Sequence, residues 1–355
     1  MKKTLALILC LAIVAGCLAG CGGNSSAPAA VENPGEATSE EAAVTFETMD
    51  PVVIRFGHGL GEGEVGLWIV ENWMAQVEEK SAGKITFEYY PGGQLGTLVE
   101  HIEQLELGSI DAIFTETSLW ESYVPEVGMI SAPFIIDSYD HCAAVIYGEA
   151  GALVEKSMQE RTHSMILGWA FNGARVMACT EDFDSLDNCG GIIMRSPESQ
   201  VYIDTFELMG MNPTPLAFSE VYTAIQTGVV QGYECPAQSI YATGTYSIAP
   251  YIVKTRHMYS YNTLDINQKF WNSLPECAQV LLKETWDELK GEMNQIVMDD
   301  ENNKYDLMAA DGATINEFVR TDAFNEKCAA YWAEKAASIG GYAEDVYAAI
   351  EVARP

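Results

Sequence analysis

The chain has 355 residues, 48% of them hydrophobic, and a formal net charge of −32. That length suffices for two lobes and a sizeable core at roughly 100 to 200 residues per domain. The charge excludes nucleic acid and an anionic membrane surface as electrostatic partners, and with only seven arginines in the chain an anion must be held by individually placed guanidiniums rather than by a general positive field.

Lys2 and Lys3 precede an apolar run from Leu5 to Leu18, too short to span a bilayer comfortably at about 20 residues and arranged as an export signal. The run ends in Leu18-Ala19-Gly20-Cys21, a lipoprotein signal pattern in which Cys21 receives the lipid and becomes the new N-terminus. Val14-Ala15-Gly16-Cys17 is the weaker second site, and ordinary cleavage with a free secreted product is the alternative. Residues 1–20 are thus read as signal and 21–50 as a flexible tether, rich in Gly, Ser, Ala, Pro and Glu and too poor in large apolar residues to fold. The expected location is extracytoplasmic, anchored at the cell membrane by lipid.

Export permits disulfides. Of the six cysteines past the tether, Cys179 and Cys189 flank a short turn and are placed to pair; buried free thiols are the other reading, and spacing alone does not decide.

Further along, Val52–Phe56 reads as a strand and 64–80 as a helix, with Val65, Trp68, Ile69, Trp73 and Val77 at helical spacing. Ile85–Tyr90 reads as a strand, 97–107 as a helix and Ile110–Phe114 as a strand. This βαβαβ order predicts an α/β fold with a mainly parallel sheet covered on both faces and ligands bound off the carboxyl ends of the strands. A second run follows, with strands at Met165–Trp169, Arg175–Ala178 and Ile192–Arg195 and helices near 199–209 and 219–228, the last N-capped by Ser219 and stopped at Gly228. From Pro275 to Asp311 the only glycine is Gly291, so one helix of about 50 Å is expected to run across both lobes as a spine, or two shorter ones broken at Gly291. The lobes are expected at 51–171 with 261–300, and at 172–260 with 301–355.

Gly61-Glu62-Gly63-Glu64-Val65-Gly66 fits a dinucleotide-binding loop, with Glu88 at ribose distance, but its two carboxylates oppose a pyrophosphate. The five histidines show no metal spacing, and no C-x-x-C, Walker loop or G-x-S-x-G occurs. No metal, cofactor or nucleophile is signalled, so catalysis is not expected.

The stretch from Gly191 to Pro236 carries a more specific signal. Gly191-Ile192-Ile193-Met194-Arg195-Ser196-Pro197, Met211-Asn212-Pro213-Thr214-Pro215 and the segment from Phe218 to Gly232 resemble the solute-binding subunit of tripartite ATP-independent periplasmic (TRAP) transporters, the four-carbon-dicarboxylate receptor (DctP) type. Gly92-Gly93-Gln94-Leu95-Gly96 and Ala132-Pro133-Phe134 support it, and the match runs from about Val52 to Gly312. The resemblance implies a two-lobed periplasmic-binding-protein-like fold that closes on a small organic acid and delivers it to a membrane permease pair driven by an ion gradient.

Read from its residues, Arg195 ends a short apolar strand, where a guanidinium fork can grip a carboxylate; an inter-strand salt bridge is the competing role. The resemblance makes Arg195 the main carboxylate ligand and Arg175 a second arginine near the anion, against a structural pairing of Arg175 with a neighbouring acid. It places Phe218 against the ligand's apolar part and Cys235 where the family commonly has a ligand-bonding asparagine, which suggests a less hydroxylated or more apolar substrate than a sugar acid. Glu116, Trp120 and His58 fall near segments that border the family's cleft; Glu116 is equally readable as a solvated loop acid and Trp120 as core. The Met211–Pro215 segment reads as an extended crossing piece and part of a hinge. Three other functions stay open: a receptor presenting ligand to a membrane sensor, an extracytoplasmic hydrolase or lyase, and a surface adhesion lipoprotein.

Overall fold

The computed structural model describes residues Val44–Pro355, which form one compact unit; the signal, Cys21 and most of the tether lie outside the described residues.

β1 (Val52–His58), α1 (Gly66–Lys80), β2 (Ile85–Tyr90), α2 (Leu98–Glu106) and β3 (Ala112–Glu116) form the first βαβαβ run, with β1 pairing in parallel with both β2 and β3. Their buried faces follow the apolar periodicity: Ile69, Trp73 and Val77 of α1 and Ile54 and Phe56 of β1 are buried in one core, with the Trp73 and Phe56 ring centres 5.8 Å apart. α2 starts with a reciprocal capping box between Thr97 and Glu100, which fixes where its N-terminus points. Three helices follow, α3 (Val127–Ile130), α4 (Tyr139–Ile146) and α5 (Glu149–Arg161).

The sequence segments read as two strands at 165–169 and 175–178 are one strand, β4 (Ser164–Cys179). The second run continues with β5 (Ile193–Ser196), α6 (Gln200–Leu208), β6 (Asn212–Pro215), α7 (Val221–Gln226), β7 (Gly232–Pro236) and α8 (Ala237–Ala242). Ser219 does not cap α7; it lies within a short 3-10 turn, Phe218–Glu220, that precedes the helix. Then comes β8 (Tyr251–Asn267), a 17-residue strand not expected from the sequence. The order in the sheet is β2-β1-β3-β8-β4-β7-β5-β6, with the short β9 (Thr314–Glu317) beside β8.

The sheet is mixed rather than mainly parallel. Two parallel wings are joined by β4 and β8, which run antiparallel to each other and to their outer neighbours β7 and β3. At roughly 3.3 Å per residue these two strands reach about 55 Å, long enough to belong to both wings. Among the described residues β6 lies at the outer edge, paired with β5, so the Met211–Pro215 segment, read from the sequence as an extended crossing piece, is an edge strand of the second wing. Its prolines fit there, since an edge strand need not donate on its free side.

α9 (Gln268–Ser273) leads into α10 (Glu276–Ala310), 35 residues without a break at Gly291. Its buried stripe, including Leu282, Trp286, Leu289, Met293 and Val297, packs on α1 and β4. Trp73 donates its indole N–H to Leu282 O at 3.0 Å and Trp286 to Trp169 O at 3.2 Å. Gly168 makes room, because a Cβ there would collide with the Trp286 ring. α11 (Asp322–Ile339) and α12 (Ala343–Val352) close the chain. α12 packs back on α3 and α5, with His141 Nε2 2.9 Å from Ile350 O. The last turns therefore lie on the first half, although the sequence reading grouped 301–355 with the second. Every cysteine among the described residues is free; Cys179 lies beside Met194 and Cys189 beside Met209, so they do not bridge.

Candidate functional site

A cavity of about 80 Å³ lies where the carboxyl ends of β1, β3, β5 and β7 converge. Gly59, Leu60 and Glu64 come from the loop after β1, Leu98 and Val99 from the start of α2, and Phe114 to Glu116 from the end of β3. The second wing contributes Arg175, Arg195, Phe218 and Cys235, so the cavity lies between the wings. It opens onto a wider hollow of about 570 Å³ that shares Gly59, Glu64, Thr97, Leu98 and Phe218.

Arg195 stands at the end of β5, between β6 and β7. Its residue is 3% exposed. Its Nε donates to Leu216 O at 2.9 Å and its Cζ stands 5.9 Å from the centre of the Phe218 ring. Among the described residues no carboxylate pairs with it and Nη1 and Nη2 have no hydrogen-bond partner, so the inter-strand salt bridge does not form. Burial pulls its pKa down, because charge is costly away from water. Nη1 and Nη2 are therefore free to donate to a group in the cavity that Arg195 lines.

Arg175 is different. Gly173, at φ +135° and under Pro236, introduces a bulge in β4. Beyond it Arg175 is gripped by Glu234 through Nε and, at 2.8 Å, through Nη2, while Nη1 donates to Glu116 Oε2 at 3.2 Å. Its Cζ lies 5.0 Å from the Tyr202 ring centre, and His257 Nε2 is 3.4 Å from Glu234. Burial favours the neutral acid at Glu234, but the Arg175 guanidinium overrides it and holds that carboxyl at about 2. Arg175 is thus chelated by acids while still lining the cavity, so the structural pairing weighed from the sequence is present. Glu116 is not a solvated loop acid: its oxygens receive Asn172 Nδ2 at 2.9 Å, Arg175, and Tyr202 OH at 3.3 Å, and burial raises its pKa against the pull of Arg175.

Cys235 lies on β7 within the lining, and burial pushes its thiol up to about 12. A thiol that stays protonated is no nucleophile at neutral pH. Phe218 lines both the cavity and the outer hollow.

Trp120 and His58 do not line the cavity. Trp120 is fully buried and donates Nε1 to Asp265 Oδ2 at 2.8 Å. His58 is buried against Tyr89, with Nε2 2.6 Å from the phenol oxygen, and its Nδ1 accepts the Leu60 N–H at 3.1 Å. It braces the loop that carries Leu60 and Glu64 and does not itself reach the cavity. The lining also includes Glu64, Asn172, Thr115, Ser239 and Asn262, which sequence reasoning did not single out. Asn172 sits in the same four-residue stretch as Arg175, whereas Asn262 is on the strand the sequence reading missed. In the sequence Glu64 stands out only as a carboxylate that opposes a pyrophosphate.

Two wings with a cavity between them, lined by a buried arginine, suit the binding of a small solute. The family of bacterial extracellular solute-binding proteins, family 7 (DctP), matches residues 56–338, and the chain belongs to it. The chain is similar to the C4-dicarboxylate-binding periplasmic protein DctP of Rhodobacter capsulatus, 26% identical over 270 residues, 76% of this chain and 80% of that one. It is also similar to two crystal structures of TRAP periplasmic solute-binding proteins. One, from Sulfitobacter sp. NAS-14.1 with bound alpha-D-taluronate, has TM-score 0.79 and 27% identity over 86% of this chain and 98% of that chain. The other, from Polaromonas sp. JS666 with bound D-erythronate, has TM-score 0.79 and 26% identity over 86% and 99%.

Proposed function

We propose that the protein is the extracytoplasmic receptor of a TRAP transporter, capturing a small organic acid between its wings and delivering it to a membrane permease without chemical change. The observation that carries this is Arg195, buried, without a counter-ion, and aimed into a cavity at the carboxyl ends of four strands. The ligand carboxylate takes the idle Nη1 and Nη2, Phe218 covers its apolar part, and Glu116 and Arg175 act together as a rigid, already neutralised wall. Cys235 offers little hydrogen bonding, which favours an apolar surface at that point.

The wings correspond to lobes at 51–171 with 261–300 and at 172–260 with the chain after 301, α12 excepted. Binding favours the closed arrangement because both lobes supply lining residues. Lipid attachment at Cys21, read from the N-terminal pattern, would hold the receptor at the outer face of the cell membrane; intact-mass analysis of protein from the native membrane should show a diacylglyceryl cysteine as first residue.

A thermal-shift screen of residues 45–355 against mono- and dicarboxylates, sugar acids, keto acids and amino acids tests the reading, with Arg195→Ala as control. A shift of several degrees for one acid class, lost in the variant, is the expected result. Truncating this partner of a buried charge pair should cost about 2 to 5 kcal/mol of affinity. An equal shift in the variant, or none with any acid, refutes the arginine clamp.

A further inference from the structure

The charges lining the cavity do not all have partners. Arg175, Glu116 and Glu234 satisfy one another, and Glu198 is exposed. Two buried ionisable groups remain without a counter-ion among the described residues: Arg195, and Glu64, which is 7% exposed and whose pKa burial raises to about 7. Glu64 Oε2 accepts the Gly61 N–H at 3.1 Å, and the Ser239 side chain is its other polar neighbour; neither brings a positive charge. Both groups line the same cavity, together with Cys235. A second sign of a missing polar partner is Thr115, 2% exposed and in the lining, whose hydroxyl has no hydrogen-bond partner.

An isolated buried ion is costly, and a complementary pair of opposite ions is the arrangement that offsets the cost. A simple monocarboxylate repairs only Arg195. A dicarboxylate would bring its second anion towards Glu64, with no idle guanidinium left to meet it, because Arg175 is chelated. A ligand carrying one negative and one positive charge satisfies both ends at once.

Resting on the receptor function proposed above, we infer that the ligand is zwitterionic: its carboxylate is held by Arg195 and its protonated amine by Glu64, with a mostly apolar body between the two. The inner cavity, about 80 Å³, compares with about 10 to 15 Å³ per water site, which limits the part between the charges to a short chain or small ring. Glu64 also borders the outer hollow, so substituents on the amine end have room to extend. The discrimination is against the isosteric hydroxy acid, since a hydroxyl, unlike a protonated amine, brings no charge for Glu64 to pair with.

Titration calorimetry of the purified protein tests this with three matched series: amino acids from glycine through 5-aminovalerate together with small α-amino acids, the hydroxy acids of the same skeletons, and the amine-free acids. The best amino acid is expected to bind at least about 10-fold tighter than its hydroxy and amine-free counterparts. Glu64→Gln should collapse that ratio towards one while leaving affinity for the amine-free acid within about 2-fold, and Glu64→Asp should restore part of it. Melting curves of both variants confirm folding. If hydroxy or amine-free acids bind as tightly as the amino acids, or if Glu64→Gln keeps the preference, the zwitterion is wrong while carboxylate capture by Arg195 stands. If no acid in any series binds, the receptor reading itself fails and takes this one with it.

Discussion

Arg175 and Asp265 show how burial turns single side chains into stability terms of opposite sign. Replacing Arg175 with Leu leaves Glu234 charged, buried and unpaired, and should destabilise the protein by about 3 to 5 kcal/mol, measured as a fall in the urea midpoint at pH 7. Because Glu234 is held down at about 2, the pair's contribution is complete above the ordinary carboxylate range and lost as pH falls through 2; at pH 2 the variant and the parent should converge. Asp265 is the reverse case. Burial pushes it up to about 7, with Trp120 Nε1 and Thr263 Oγ1 bonded to Oδ2 and no partner on Oδ1. The unfolded chain ionises this group near 4 while the folded one resists until about 7, so it costs stability as pH rises across that window. Asp265→Asn keeps an acceptor for Trp120 and should raise the melting temperature at pH 8, with the gain fading by pH 4.

At the scale of elements, α10 and the β4/β8 pair carry the architecture. The expectation of one unbroken helix over 275–311 came from its composition, and α10 runs through Gly291 because one surface glycine costs only about 1 kcal/mol in a helix held by a long buried stripe. A Cβ at Gly291 meets nothing within 4 Å, so Gly291→Ala should stabilise the protein by about 0.5 to 1 kcal/mol, read from chemical denaturation. β8 escaped the sequence reading because most of its residues are buried on both faces, which erases the alternation that marks a half-buried strand. β4 was split in two because Gly173 and Asn172 interrupt the apolar run, and those are the bulge residues that bring Arg175 to the cavity.

On the scale of the whole molecule, the two wings touch outside the cavity as well as around it. Glu121, just beyond β3, accepts Ser199 Oγ at 2.6 Å and Val201 N–H at 3.0 Å at the start of α6. This contact lies apart from the cavity lining yet favours the arrangement in which both wings face the ligand. Glu121→Ala is expected to weaken acid binding by about 5-fold, at about 1 kcal/mol for the lost bonding, while leaving the preference among acids unchanged; calorimetry on the same ligand series reads both.

The amino-acid sequence by itself determined what depends on local order: the first βαβαβ run, the long α10, and the motif that puts Arg195 at a strand end before Ser196 and Pro197. Only the tertiary structure decided the partners. Sequence spacing does not reveal that Arg175 is chelated by Glu234, 59 residues on, that His58 and Trp120 turn away from the cavity, or that Glu64 turns towards it without a cation. Those outcomes depend on which strands become neighbours, and here β4 and β8 pair residues 72 to 103 positions apart, from Cys179 with Tyr251 to Ser164 with Asn267. A charge becomes functional or structural according to what packing leaves beside it.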